Sequence, residues 1–176
     1  MGTRVYPVHR LDAEVTGLLV FACDPDAQRQ ASAWFEGRLV HKDYFAWTEI
    51  GDPPPVPSPD PLRWECLLAW GKRRAYEHPV AGKPSLTLAW LLEEQPTSAG
   101  QVLGWRLQPH TGRSHQLRYE LARHGWPILG VTLYGAKVPW PPGGIALRAV
   151  SHLDAVPPGE RLGLPVRVEL PGLDWP

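Results

Sequence analysis

The chain has 176 residues, with 18 Lys and Arg balanced by 18 Asp and Glu, so its formal net charge is zero and its pI is near 7.1. That length suits one domain, 1–176, with a core that needs no disulfides. The neutral balance excludes a globally basic nucleic-acid binder, so positive charge for a polyanion would have to be local.

Cys23 and Cys66 lie far apart in no CxxC pattern and read as buried thiols of a reduced, cytoplasmic protein. Met1–Pro7 has no apolar core of a signal peptide, and no run is long enough to span a bilayer.

In chain order, Gly17–Ala22 is a short apolar run that reads as a core strand. Asp24 is a suitable N-cap and Pro25 a suitable first helical residue. Ala27, Ala31, Trp34 and Phe35 follow at helical spacing until Gly37. Val40–Ile50 alternates as a strand and places Lys42 and Tyr44 on one face. Residues 51–61 are too proline-rich for helix or central strand and make a stiff connection. Arg63–Ala69 reads as a strand, Gly71–Arg74 as a solvated basic turn, and Pro84–Leu92 and Val102–Leu107 as strands around a polar turn at Gln95–Gly100.

Ser114 is placed to cap a helix from His115 to His124, with Leu117, Leu121 and Ala122 inward and Gln116, Glu120 and Arg123 on the other side. Arg118 lies beside the apolar stripe, so its guanidinium must reach out to solvent or meet a buried anion. Pairing with Glu120 or with solvent stays open at this stage. Pro139–Gly144 is a second stiff loop, Ile145–Val150 a strand, and Leu164–Leu170 a closing strand. Strands outnumber helices and hairpin-like joins dominate. The expected class is α+β, with a mainly antiparallel mixed sheet and a few flanking helices.

Three stretches carry chemistry. His9-Arg10-Leu11-Asp12 precedes Thr16-Gly17-Leu18-Leu19, Lys42-Asp43-Tyr44-Phe45-Ala46 follows, and Thr111-Gly112-Arg113-Ser114-His115-Gln116-Leu117-Arg118 comes later. Leu133-Tyr134-Gly135 and Ile145-Ala146-Leu147 complete the set. In this order and spacing, over about Tyr6 to Ala149, the chain resembles the RluA/RsuA-type RNA pseudouridine synthases. The resemblance implies that family's catalytic fold and the isomerisation of uridine to pseudouridine within rRNA or tRNA.

A carboxylate can serve that reaction as a nucleophile at the sugar or at C6 of the base, and a cationic neighbour favours its ionised form. By the match, Asp12 is the nucleophile and Arg118 its partner. Tyr44 stacks on the flipped uracil, and Leu117 borders the substrate. Arg10 fills the gap left by the base or holds a phosphate, and Lys42, Arg113, His115 and Gln116 contact RNA. Taken alone, Tyr44 could equally be a core aromatic, and neither His9 nor His115 receives an acid–base role. No metal and no other cofactor is required. The expected partner is an RNA stem-loop, and the expected state is a monomer, with a homodimer formed by strand exchange as the alternative. An RNA-binding module that retains the fold without efficient catalysis is the competing function.

The match has departures. Eleven residues precede Asp12, without the family's Asn-Lys-Pro-x-Gly strand, which would leave a shortened N-terminal side and an exposed sheet edge. The Asp-x-x-Thr-Ser-Gly pattern reads Asp12-Ala13-Glu14-Val15-Thr16-Gly17 and has lost one hydroxyl. Val131 stands in Gly130–Gly135 where the family pattern has Asp, and Arg148 follows Leu147 where it has His, both in supporting positions.

Overall fold

A computed structural model describes the chain except residues 1–3, 99, 153–155, 158–159, 161, 166 and 172–176, and the side chains of 151 and 152. Its elements in order are β1 (Tyr6–Pro7), β2 (Thr16–Gly17), β3 (Phe21–Ala22), α1 (Pro25–Glu36), β4 (His41–Glu49), β5 (Leu62–Trp70), β6 (Ala75–Glu77), β7 (Lys83–Thr97), β8 (Gly100–Pro109), α2 (Gln116–Arg123), a 3-10 turn at Thr132–Tyr134, and β9 (Leu147–His152). Seven strands form one sheet in the order β2-β9-β4-β8-β7-β5-β6, in which only β2 and β9 run parallel. The α+β, mainly antiparallel class is therefore what the chain adopts.

The main core forms where aromatic and aliphatic side chains of the central strands meet α2 and the segment after it. Trp47, Trp64, Trp105, Trp126 and Trp140 are all buried there, with Leu103, Leu107, Leu121 and Ile128. Trp105 donates its indole N–H to Thr48 Oγ1 at 2.9 Å, so the buried polar ends satisfy each other. A second, smaller core joins α1 to the N-terminal ribbon through Val8, Ala22, Ala31, Trp34, Val40 and Val156. Helix α1 starts as its sequence demands, with the Asp24 carboxylate accepting the amides of Asp26 and Ala27 at 2.9 and 2.8 Å.

Several expectations are corrected. Gly17–Ala22 is not one core strand. Thr16–Gly17 pairs with β9, whereas Phe21–Ala22 pairs with β1 in a separate two-stranded ribbon. The switch occurs at Gly17, whose φ of +123° turns the chain and whose missing Cβ would otherwise lie 2.2 Å from the Ala149 carbonyl oxygen. The apolar run therefore leaves the main core, and Phe21 is 49% exposed.

Cys23 is exposed and Cys66 half-buried, so burial does not describe the cysteines. The polar stretch at Gln95–Gly100 does not stop the strands, because hairpin pairing carries them on to Thr97 and back from Gly100. Residues 164–170 make no extended strand among their described positions. Both edge strands of the large sheet, β2 and β6, are two or three residues long, and edges that short offer little for another chain to pair with.

Candidate active site

The cleft of interest lies between the N-terminal loop, β4 and the start of α2, and encloses about 290 Å³. Three separate segments supply its walls. The loop from β1 to β2 brings His9, Arg10 and Asp12, β4 brings Lys42 and Tyr44, and residues 109–118 bring Arg113, His115, Gln116, Leu117 and Arg118. Every residue given a site role from the sequence lines this one cleft. The alternation of β4 aims Lys42 and Tyr44 to the same side, while Asp43 turns away to pair with Arg106 at 2.9 Å.

Helix α2 is buried on almost every side. Ser114 does not cap it. His115 precedes its first residue with φ +54°, in the left-handed region, and no side chain caps the helix there. The conformation is held by Gln116 instead. Its amide oxygen accepts from Thr111 Oγ1 at 2.8 Å and from the Arg113 amide at 3.1 Å. Its amide nitrogen donates to Leu86 O at 3.1 Å and Thr87 Oγ1 at 2.9 Å. Gln116 thus spends its polar capacity tying the loop and helix to β7, although it borders the cleft. Glu120, expected outside, is also buried. It pairs with Arg123 at 2.6 Å and accepts from the Cys66 thiol at 3.1 Å. Glu120 is therefore not the partner of Arg118.

Arg118 is buried and faces two carboxylates. One Nη lies 3.8 Å from Asp12 Oδ2 and the other donates to Glu14 Oε2 at 3.2 Å. Its Nε is buried without a hydrogen-bond partner. Glu14 has φ +83°, and its part here was not visible from the sequence. A carboxylate two residues from Asp12 in a loop was the only available signal.

His115 approaches the same oxygen as Arg118, with Nε2 at 3.9 Å from Asp12 Oδ2. Its Nδ1 lies 3.2 Å from Tyr134 Oη, and that oxygen accepts the Ala75 amide at 2.7 Å. The phenol is left to donate to Nδ1, which puts the proton of a neutral imidazole on Nε2, toward the carboxylate. Burial, followed by the Arg118 charge, lowers the pKa of His115 and favours that neutral form. The distances to Asp12 are those of an open site, which ligand binding commonly shortens.

The other walls are more apolar. Burial, then the nearby Asp12 charge, pushes the Tyr44 phenol up to about 12, so it stays protonated at neutral pH. Leu117 is buried beneath the cleft. Lys42 places its ammonium 5.2 Å from the Phe35 ring centre, and burial lowers its pKa. His9 stacks on the same Phe35 at 4.2 Å and accepts the Val20 amide on Nε2 at 3.1 Å. Arg113 donates from Nε to Pro84 O at 3.0 Å, and Arg10 is exposed at the rim. Among the described residues no three His, Cys, Asp or Glu side chains converge as metal ligands would.

The arrangement combines an accessible carboxylate, a buried guanidinium, an apolar ledge with one aromatic ring, and a basic rim. It can hold a flat, uncharged ring beside a nucleophile while cations outside hold a phosphate chain.

Comparisons with known proteins agree with that chemistry. Residues 2–123 match the family model described as RNA pseudouridylate synthase. The dual-specificity RNA pseudouridine synthase RluA of Vibrio vulnificus is 36% identical over 135 residues, 72% of this chain and 50% of that protein. The enzyme of that name from Escherichia coli is 35% identical over 143 residues, 76% of this chain and 60% of that one. The tRNA pseudouridine synthase C of Pasteurella multocida is 30% identical over 142 residues, 77% of this chain and 58% of that one. The chain thus spans about half the length of the curated relatives it matches. In fold, it resembles the solved structure of human RNA pseudouridylate synthase domain containing 1, with a TM-score of 0.76, 24% identity, and coverage of 97% of this chain and 69% of that one.

Proposed function

The chain belongs to the RNA pseudouridylate synthase family, and we propose that it isomerises uridine to pseudouridine in rRNA or tRNA with Asp12 as the nucleophile. The observation that carries this reading is the meeting of Asp12, Tyr44 and Arg118, from three distant segments, in one cleft. Asp12 attacks the flipped nucleotide at C1′ or at C6 of the base. The N1–C1′ bond breaks, the uracil turns, C5 bonds to C1′, the bond to Asp12 breaks and returns the free carboxylate, and the C5 proton is lost as N1 gains one, so no atoms are exchanged with a co-reactant. Arg118 faces the carboxylate with a buried guanidinium, and Tyr44 stacks on the uracil. One such stack supplies roughly 1–3 kcal/mol, comparable with the few kcal/mol needed to flip a base. The neutral His115, oriented by Tyr134, supplies a hydrogen-bond donor to the Asp12 oxygen that Arg118 also faces. Lys42, Arg10 and Arg113 take the RNA backbone. The unpaired Cys23 and Cys66 suit a reducing cytoplasm.

The test is incubation of the full chain with unmodified bulk tRNA and rRNA, followed by nucleoside analysis, with Asp12→Ala in parallel. Pseudouridine from the wild type and none from the variant is the expected result. An active Asp12→Ala protein overturns the role of Asp12. Salt-dependent RNA binding without product would leave an RNA-binding module in place of an enzyme.

A further inference from the structure

A second concavity of about 270 Å³ adjoins the cleft and shares Gly112, Arg113 and Ser114 with it. Its wall is Trp70, at the end of β5 and 53% exposed. Trp70 has the strand parity of the buried Trp64 and Leu68 but lies past the edge of the core, where an indole has no packing reason to stay in water. Lys83 and Arg113 line the same concavity, and the β5–β6 turn carries Lys72, Arg73 and Arg74 immediately after the indole. In a chain of zero net charge, two cations in the concavity and three more in the turn that follows the indole concentrate positive charge locally. Trp70 also meets His115 edge to face at 5.0 Å, and His115 reaches Asp12 at 3.9 Å. One ring therefore separates this platform from the carboxylate.

We propose that Trp70 is a second base-stacking site, which takes an unpaired nucleotide flanking the target uridine while Lys83, Arg113 and the 72–74 turn hold its phosphates. This rests on the RNA reading of the neighbouring cleft. An aromatic face stacks with any base, so the site fixes the path of the strand without reading sequence. It also gives the basic turn, otherwise a solvated loop, a place in substrate binding.

Binding of a fluorescein-labelled RNA hairpin with a uridine-containing loop, followed by anisotropy over a salt series, tests the inference. Trp70→Ala is expected to weaken binding by roughly 5- to 150-fold, the equivalent of one base–aromatic stack, with an unchanged salt slope. Trp70→Phe restores most of the affinity. Lys83→Ala instead lowers the slope of log K against log salt by roughly 0.7–0.9. Hairpins carrying a single abasic nucleotide then locate the base. At one position beside the target, abasic RNA and Trp70→Ala give losses that do not add.

Wild-type affinity in Trp70→Ala, or a full additional loss with every abasic hairpin, overturns the stacking site. A loss confined to turnover, with binding unchanged, would mean that Trp70 only supports His115. Failure of the wild-type chain to bind any hairpin refutes the RNA reading itself, which separates the two proposals.

Discussion

The two sides of the cleft are built differently. Arg118 stands on a helix seated in a core to which eighteen buried apolar residues contribute among those described, and Gln116 locks its entry with four hydrogen bonds. Asp12 stands on a loop between two strands of two residues each, beside a core of six. The proposed nucleophile is thus on the thinly held side and the cation on the rigid one. Local stability of this kind sets where motion is concentrated. A loop that can travel a fraction of an ångström toward fixed partners closes the 3.8 and 3.9 Å gaps without disturbing the core. The difference suggests that the rigid wall defines the reactive geometry and the loop is drawn into it by substrate.

The sharpest way to break this comparison is to change the fixed cation. Arg118→Lys keeps the charge but loses the fork that spans Asp12 and Glu14. We expect kcat/KM to fall about 100- to 1000-fold, with RNA affinity reduced far less, because the lost contact acts on the nucleophile. A variant within about threefold of wild type would show that this guanidinium does not govern Asp12. Next in size is Gln116→Ala, which strands four partners on the rigid side, Thr87 buried and Leu86, Thr111 and Arg113 half-buried. It should cost about 3 kcal/mol and lower Tm by roughly 6–12 °C, measured by calorimetry. A Tm change under about 2 °C would mean that the wall does not depend on this residue.

Legibility followed the same division. The long elements α1, β4, β5 and β7–β8 were readable from periodicity, because each buries a regular face in a core. The candidate site residues were named because their motifs match a family, and the fold gathers them in one cleft. Less legible were features set by tertiary contact. Gly17–Ala22 reads as one strand by hydropathy, but a turn at Gly17 sends its halves into two sheets. Ser114 has the chemistry of a cap, yet Gln116, reaching to β7, took over the loop. The Glu14–Arg118 pair and the Ala75–Tyr134–His115 chain join residues 104, 59 and 19 positions apart, which no local pattern encodes. Gln116 and Glu120 were assigned outward because a helix period alone does not reveal that both faces are covered.

Gly17→Ala tests the thin side directly. The added Cβ would meet the Ala149 backbone at 2.2 Å, and φ is already positive, so β2 must separate from β9. Because only two residue pairs hold β2, the strain is released by local detachment more than by global unfolding. Activity should fall by roughly 30-fold, equivalent to about 2 kcal/mol, while Tm falls by only a few degrees. Equal loss of the whole fold and the site would mean the loop is not a separate unit.

The smallest effect concerns acid. His9 is neutral in the fold, its pKa lowered to about 4 by burial and then by the Lys42 charge, and its Nε2 accepts the Val20 amide that ties the loop to the ribbon. A free histidine titrates near 6.5, so between about 4 and 6.5 the unfolded chain binds the extra proton. This part of the stability is complete above that window and is lost as pH falls through it, by about 2 kcal/mol for a partly buried ring. His115 and His124 have pKa values lowered in the same direction, so the His9 share is read from the difference between wild type and His9→Gln. Urea unfolding at pH 7 and pH 5 should show a smaller loss in the variant. Identical pH dependence in both would place the acid sensitivity on the rigid side of the cleft, with the other two histidines, and remove it from the loop that carries Asp12.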